Sequence, residues 1–155
     1  MYQEKFMKKA IALSAYNIKH DGGPFGAVIV KDGEIVATGC NRVTRRLDPT
    51  AHAEVMAIRS AARKLKTFNL EGCEIYTSCE PCPMCLSAIY WAHISTVYYA
   101  NTKKDAAEIG FDDSFIYDEI QLPMDARKIH FSQHNAEEAK TVFEAWTNDE
   151  NKTTY

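Results

Sequence analysis

Two short segments, His52-Ala53-Glu54 and Pro81-Cys82-Pro83-Met84-Cys85, carry one imidazole, two thiols and a carboxylate that a single metal ion can draw together. Imidazole nitrogen and thiolate sulfur are ligands zinc favours, and three protein ligands leave the fourth tetrahedral position open for water, the mark of a catalytic ion. Zinc lowers the pKa of such a water to about 7. Glu54, two residues from the ligand His52, is better used to carry protons than to hold the metal. Such a site forces two distant stretches of chain to meet, and that is the tightest constraint in this sequence.

The local spacing tells how they meet. Residues 51–58 read as a helix that starts near His52. Cys82 and Cys85, three apart and flanked by Pro81 and Pro83, suit a first helical turn, where positions i and i+3 share a face. A helix N-terminus favours the thiolate form. The expected geometry is therefore two helix starts at one zinc, one ion per chain, held by His52, Cys82 and Cys85. Taken singly, a His-x-Glu is usually surface helix, and a Cys-x-x-Cys can be a redox pair or half a structural site. Cys79 extends the cysteine run, but an iron–sulfur pattern needs a cysteine where Ile89 stands. A four-cysteine structural zinc with Cys79 leaves His52 and Glu54 unexplained.

With 155 residues, the chain is expected to form one domain with a single core. No apolar run approaches the roughly 20 residues that span a membrane, and no signal-peptide stretch is evident. Five cysteines, at least two of them kept as thiolates for the metal, fit a reducing cytoplasm. A net charge of −3 argues against a nucleic-acid partner. The cluster Arg42, Arg45 and Arg46 reads as a solvated loop.

Helical spacing of Met7, Ile11, Ala15 and Ile18 predicts a first helix over about 3–19. The Asp32-Gly33 turn between two apolar runs predicts a hairpin. A strand at 74–77 leads into the cysteine turn and a helix through Trp91, and 97–99 is the next strand. A short last strand is expected at Ile129-His130-Phe131, and a final helix over about 136–146. The expected architecture is a three-layer α/β/α sandwich around a mixed five-stranded sheet, with the site at strand ends.

The stretches Gly23-Pro24-Phe25-Gly26-Ala27-Val28-Ile29-Val30, Pro49-Thr50-Ala51-His52-Ala53-Glu54, Thr77-Ser78-Cys79-Glu80-Pro81-Cys82-Pro83-Met84-Cys85 and Gly110-Phe111-Asp112-Asp113-Ser114-Phe115-Ile116-Tyr117 resemble the cytidine deaminase-like superfamily. Its zinc deaminases carry the H-x-E and P-C-x-x-C pair. The fourth stretch and the terminal Tyr155 resemble the bacterial guanine deaminases in particular. That resemblance implies hydrolysis of guanine to xanthine and ammonia by a cytoplasmic homodimer. It makes Glu54 the proton shuttle and implies that Asn41 hydrogen-bonds the purine, Phe25 meets the ring face and Asp113 holds the amino-bearing edge. Ala53 and Tyr155 complete the implied substrate contacts. Residues 146–155 become a lid exchanged between subunits. Asn41 also reads as a turn residue, Phe25 as core and Asp113 as a helix cap. The rivals are a tRNA adenosine deaminase, a guanosine or cytosine deaminase, and a silent zinc domain used for assembly. Against the RNA enzyme stands the acidic end of the chain, where Glu137, Glu138, Glu144, Asp149 and Glu150 face only Lys140 and Lys152.

Overall fold

The structure, a computed structural model, describes residues 1–155. The backbone gathers into two compact units, Met1–Ser114 and Phe115–Tyr155.

The first unit is built on a four-stranded sheet. β1 (Gly26–Lys31) and β2 (Glu34–Cys40) form the expected hairpin, turning at Asp32 and Gly33, both with positive φ. An Asp-Gly pair meets that demand with little strain. β3 (Cys73–Cys79) lies antiparallel on the other side of β1, and β4 (Thr96–Asn101) runs parallel to β3, giving the order β2-β1-β3-β4. A parallel pair needs a crossover, and α4 (Pro83–Trp91) supplies it.

Side chains alternate across a strand, so β1 feeds two cores. Ala27 and Ile29 pack with Ala53, Ala57 and Ala61 of α3 (Ala53–Leu65) and with Ile89 of α4. Val28 and Val30 pack with Phe6, Met7 and Ala10 of α1 (Glu4–Ile18) and with Tyr76. Helices thus cover both faces, as the three-layer expectation requires. Ile29 is fully buried, a transfer worth about 1.5–3 kcal/mol.

The sheet has four strands, not five. Ile129, His130 and Phe131 take no strand structure, and Ile129 and Phe131 are exposed. A strand exists only when another strand accepts from its N–H groups and donates to its C=O groups. Three residues cannot supply that partner themselves, and Phe131 instead lies beneath the Arg127 guanidinium, 5.4 Å from its ring centre.

A short helix α5 (Lys103–Glu108) follows β4 in the first unit, and the second unit holds most of α6 (Ser114–Gln121), a 3₁₀ turn at Met124–Ala126, and α7 (Ala136–Asn148). Arg127 donates to the carbonyls of Leu122 and Ile120 at 3.0 and 3.1 Å. No residue after Ile94 is buried, and Ile120, Val142, Phe143 and Trp146 are all exposed. All five cysteines are free thiols, and no helix is long and apolar enough to cross a membrane.

One glycine sets the distance between sheet and helix. A Cβ at Gly39 would lie 2.1 Å from the Ala53 carbonyl oxygen and 2.5 Å from the Ala57 nitrogen, so its absence lets the first turns of α3 rest on β2. Gly39→Ala should therefore cost about 1–3 kcal/mol of stability as overpacking. Urea unfolding reads the loss, and an unchanged midpoint would show that α3 is not seated there.

Candidate active site

His52 is the N-cap of α3, and Cys82 is the N-cap of α4. Their backbones are alike, with φ −68 and ψ 158 at His52 and φ −66 and ψ 168 at Cys82. Pro83 occupies the first turn of α4, where its missing N–H costs nothing. Cys85 stands one turn in, on the same face as Cys82.

The ligand atoms of His52, Cys82 and Cys85 all lie within 4.8 Å of one another. His52 Nδ1 sits 3.5 Å from each sulfur. Zinc–nitrogen and zinc–sulfur bonds of about 2.0–2.3 Å put tetrahedral neighbours roughly 3.3–3.8 Å apart, so these separations match a tetrahedral edge. The two cysteines titrate as a unit. Cys82 is drawn down to about 4, led by its hydrogen bond with Cys85 and helped by His52, with burial opposing. Cys85 is pushed up, first by that same hydrogen bond and then by burial. Metal binding must expel the proton the pair retains. Cys79 stays out of the cluster. Its thiol donates to the Thr102 carbonyl at 3.6 Å, and burial, then the Glu54 charge, raise it to about 11.

Glu54 lies in the first turn of α3 and is 6% exposed. Its Oε1 accepts from Thr77 Oγ1 at 3.2 Å and its Oε2 from Cys85 at 3.4 Å. Burial is the main cause that raises its pKa, and the Cys82 charge adds to it. Thr77 carries no signal in the sequence, because its role depends on β3 passing beneath α3.

A cavity of about 400 Å³ opens over these groups, lined by His52, Glu54 and Cys82 together with Phe25, Asn41, Phe111 and Asp113. All its lining residues belong to the first unit. Phe25 is half-buried and meets Phe111 edge to face, with ring centres 4.9 Å apart at 89°. Asn41 is buried, and its Oδ1 accepts from the Val43 backbone at 3.2 Å. Asp112, not Asp113, accepts the Ser114 backbone N–H at 2.9 Å. That bond closes a turn just before α6 (Ser114–Gln121), and Asp113 lines the cavity with its pKa raised, first by burial and then by the Cys82 charge. Ala53 is fully buried under Gly39 and does not line the cavity. Tyr155 belongs to the second unit and is 74% exposed. Of the arginine cluster, Arg45 and Arg46 are exposed on the short helix α2 (Val43–Arg46), as a solvated loop would be. Arg42 departs from that reading: it is partly buried and donates to Asn17 Oδ1 at 3.1 Å.

Residues 1–101 match the family model of the cytidine and deoxycytidylate deaminase zinc-binding region. The chain belongs to this family. Zinc is its cofactor, and His52, Cys82 and Cys85 are placed to hold it. The guanine deaminase of Bacillus subtilis is 54% identical over the whole of both chains. An X-ray structure of guanine deaminase from Bacillus subtilis superposes with a TM-score of 0.96 at 54% identity, covering 100% of this chain and 99% of that one. A tRNA-specific adenosine deaminase of Aquifex aeolicus is 42% identical over 104 residues, 67% of this chain and 69% of its own.

Metal analysis of purified variants separates the roles in this cluster. Cys82→Ala should lose its zinc, whereas Glu54→Gln and Cys79→Ser should keep about one ion per chain, since neither Glu54 nor Cys79 contributes a ligand. Loss of zinc from Glu54→Gln would make that carboxylate a ligand instead.

Proposed function

We propose that this chain hydrolyses guanine to xanthine and ammonia. The observation that carries the reading is the 54% identity to a guanine deaminase across both full lengths. The match covers the segment of Phe111, Asp112 and Asp113, beyond the residues the family model matches. The site is chemically suited to the task. Zinc held by His52, Cys82 and Cys85 would supply Lewis acidity there, bringing the pKa of a bound water to about 7. Glu54 is placed to carry a proton from the attacking water to the departing amino group, so that guanine and water give xanthine and ammonia. Its burial beside Thr77 keeps the carboxylate out of bulk solvent. Asn41 commits its Oδ1 to Val43 and so presents its amino group to the purine as a donor. The Phe25–Phe111 corner offers an apolar wall for the ring. Asp113 accepts from the amino-bearing edge.

The same reading makes the protein a cytoplasmic homodimer. The apolar side chains left exposed between residues 115 and 155, among them Phe143 and Trp146, need a cover. A second copy of the chain is the cover proposed, with residues 146–155 closing the partner's cavity. Tyr155 brings an apolar ring, a hydroxyl and the chain carboxylate to that lid.

A substrate panel tests the activity. Purified protein should release ammonia from guanine, and Glu54→Gln should lose at least ~10² of that rate. If guanine, guanosine, cytosine and adenine stayed inert while a tRNA anticodon stem turned over, the protein would be an RNA enzyme.

The lid has its own test. Deleting residues 151–155 should leave zinc and folding intact and cut guanine turnover sharply. Mixing the truncated chain with intact-tail Glu54→Gln should recover part of the activity, because hybrid dimers pair a working site with a working lid. Truncation without kinetic effect removes the lid. No recovery despite demonstrated subunit exchange removes the swap.

A further inference from the structure

A wholly buried asparagine near the end of α1 plays no part in the chemistry above. Asn17 is 0% exposed. Its Nδ2 donates to two carbonyl oxygens, those of Gly23 and Asn41, each at 2.8 Å. Its Oδ1 accepts from Arg42 Nη1 at 3.1 Å, and its own carbonyl accepts the N–H groups of His20 and Gly22. One side chain thereby ties together the approach to β1 and the exit from β2. A Cβ at Gly22 would fall 2.2 Å from Asn17 Nδ2 and 2.7 Å from the Asn41 carbonyl oxygen, so only glycine leaves room for this clamp.

The tied segments are the ones that build the substrate wall of the cavity. Gly23, Phe25 and Asn41 all line it, and Asn41 N–H donates to the Phe25 carbonyl at 3.2 Å. A leucine of similar size would suit an apolar helix face better, because burying an amide is costly unless it is bonded. Here the amide is bonded on both ends. Its rigid planar geometry fixes two backbone carbonyls and one guanidinium relative to each other.

We propose that Asn17 is a positioning residue for substrate recognition, acting through Asn41. The inference rests on purine deamination at this site. Asn17 sets where the Asn41 amino group stands in the cavity, and Arg42 orients Asn17 by occupying its Oδ1. Neither touches the zinc ligands or Glu54, so the effect falls on binding of the base rather than on the metal.

The test is a double-mutant cycle on guanine kinetics, with zinc content and thermal stability measured for every variant. Asn17→Ala should raise KM about tenfold, change kcat far less, and keep zinc. In combination with Asn41→Ala it should add little to the loss in kcat/KM that Asn41→Ala shows alone, because the two act in one chain of contacts. A merely structural asparagine would lower stability and multiply the two losses, and that outcome overturns the proposal. So does an unchanged KM in folded, zinc-loaded Asn17→Ala. If Asn17→Ala does not fold, the cycle is run with Arg42→Met, which leaves both Nδ2 bonds in place and should raise KM severalfold, again without adding to Asn41→Ala. An unchanged KM there also counts against it. Wild-type protein inert on guanine would indict the activity itself, a result distinct from all of these.

Discussion

Helices usually begin at Ser, Thr, Asp or Asn, whose side chains satisfy the first free backbone N–H groups. The two helices that matter most here begin at a histidine and a cysteine. Both side chains are turned to a common point, where Cys85 joins them. Two positive helix ends aimed at one cation repel it, and two thiolates are what makes the arrangement tolerable. The thiolates gain in turn, since helix N-termini lower their pKa. Metal, thiolates and helix starts are therefore one electrostatic unit, and no member of it is comfortable alone.

The sheet exists, in functional terms, to bring those helix starts together. Gly39 lets α3 lie directly on β2. β3 ends at Cys79, and the chain then turns through Pro81 into α4. Thr77 rises from β3 to hold Glu54. The hairpin contributes the opposite wall: Phe25 just before β1 and Asn41 just after β2 reach the cavity from paired strand ends. β2 is an edge strand, hydrogen-bonded to the sheet through β1 alone, which is why a buried amide from α1 at its end is informative. It supplies the missing tie.

The parts of this fold written in local chemistry were readable from the sequence. The period of α1, the Asp32-Gly33 turn, and the proline-flanked cysteines each announce themselves within a few residues. The zinc ligands were legible because their spacing has little other use. The fifth strand was not, since Ile129 and Phe131 alternate correctly but strand structure depends on a distant partner. The short helix α2 was missed beneath an arginine cluster, where four residues carry no detectable period. Arg42 was misread because its partner, Asn17, lies on another element. Phe111 was quoted within a characteristic stretch, yet nothing in that stretch says its ring would meet Phe25.

The chain also divides its labour along its length. The residues placed to hold the metal, and Glu54 beside them, lie within residues 1–101, the region matched by the family model. Phe111, Asp112 and Asp113 come after it, and Phe111 and Asp112 are exposed at the cavity rim. An apolar wall and a carboxylate are cheap to alter without disturbing α3, α4 or the sheet. A zinc ligand is not, because its loss unseats two helix starts at once. On the proposed reading, choice of substrate can change through the later segment while the metal site stays fixed by the earlier one. Asn41 is the exception. On the proposed reading it meets the substrate from the end of the hairpin, and its backbone carbonyl accepts from Asn17 in the clamp that ties α1 to the sheet. Altering it changes both.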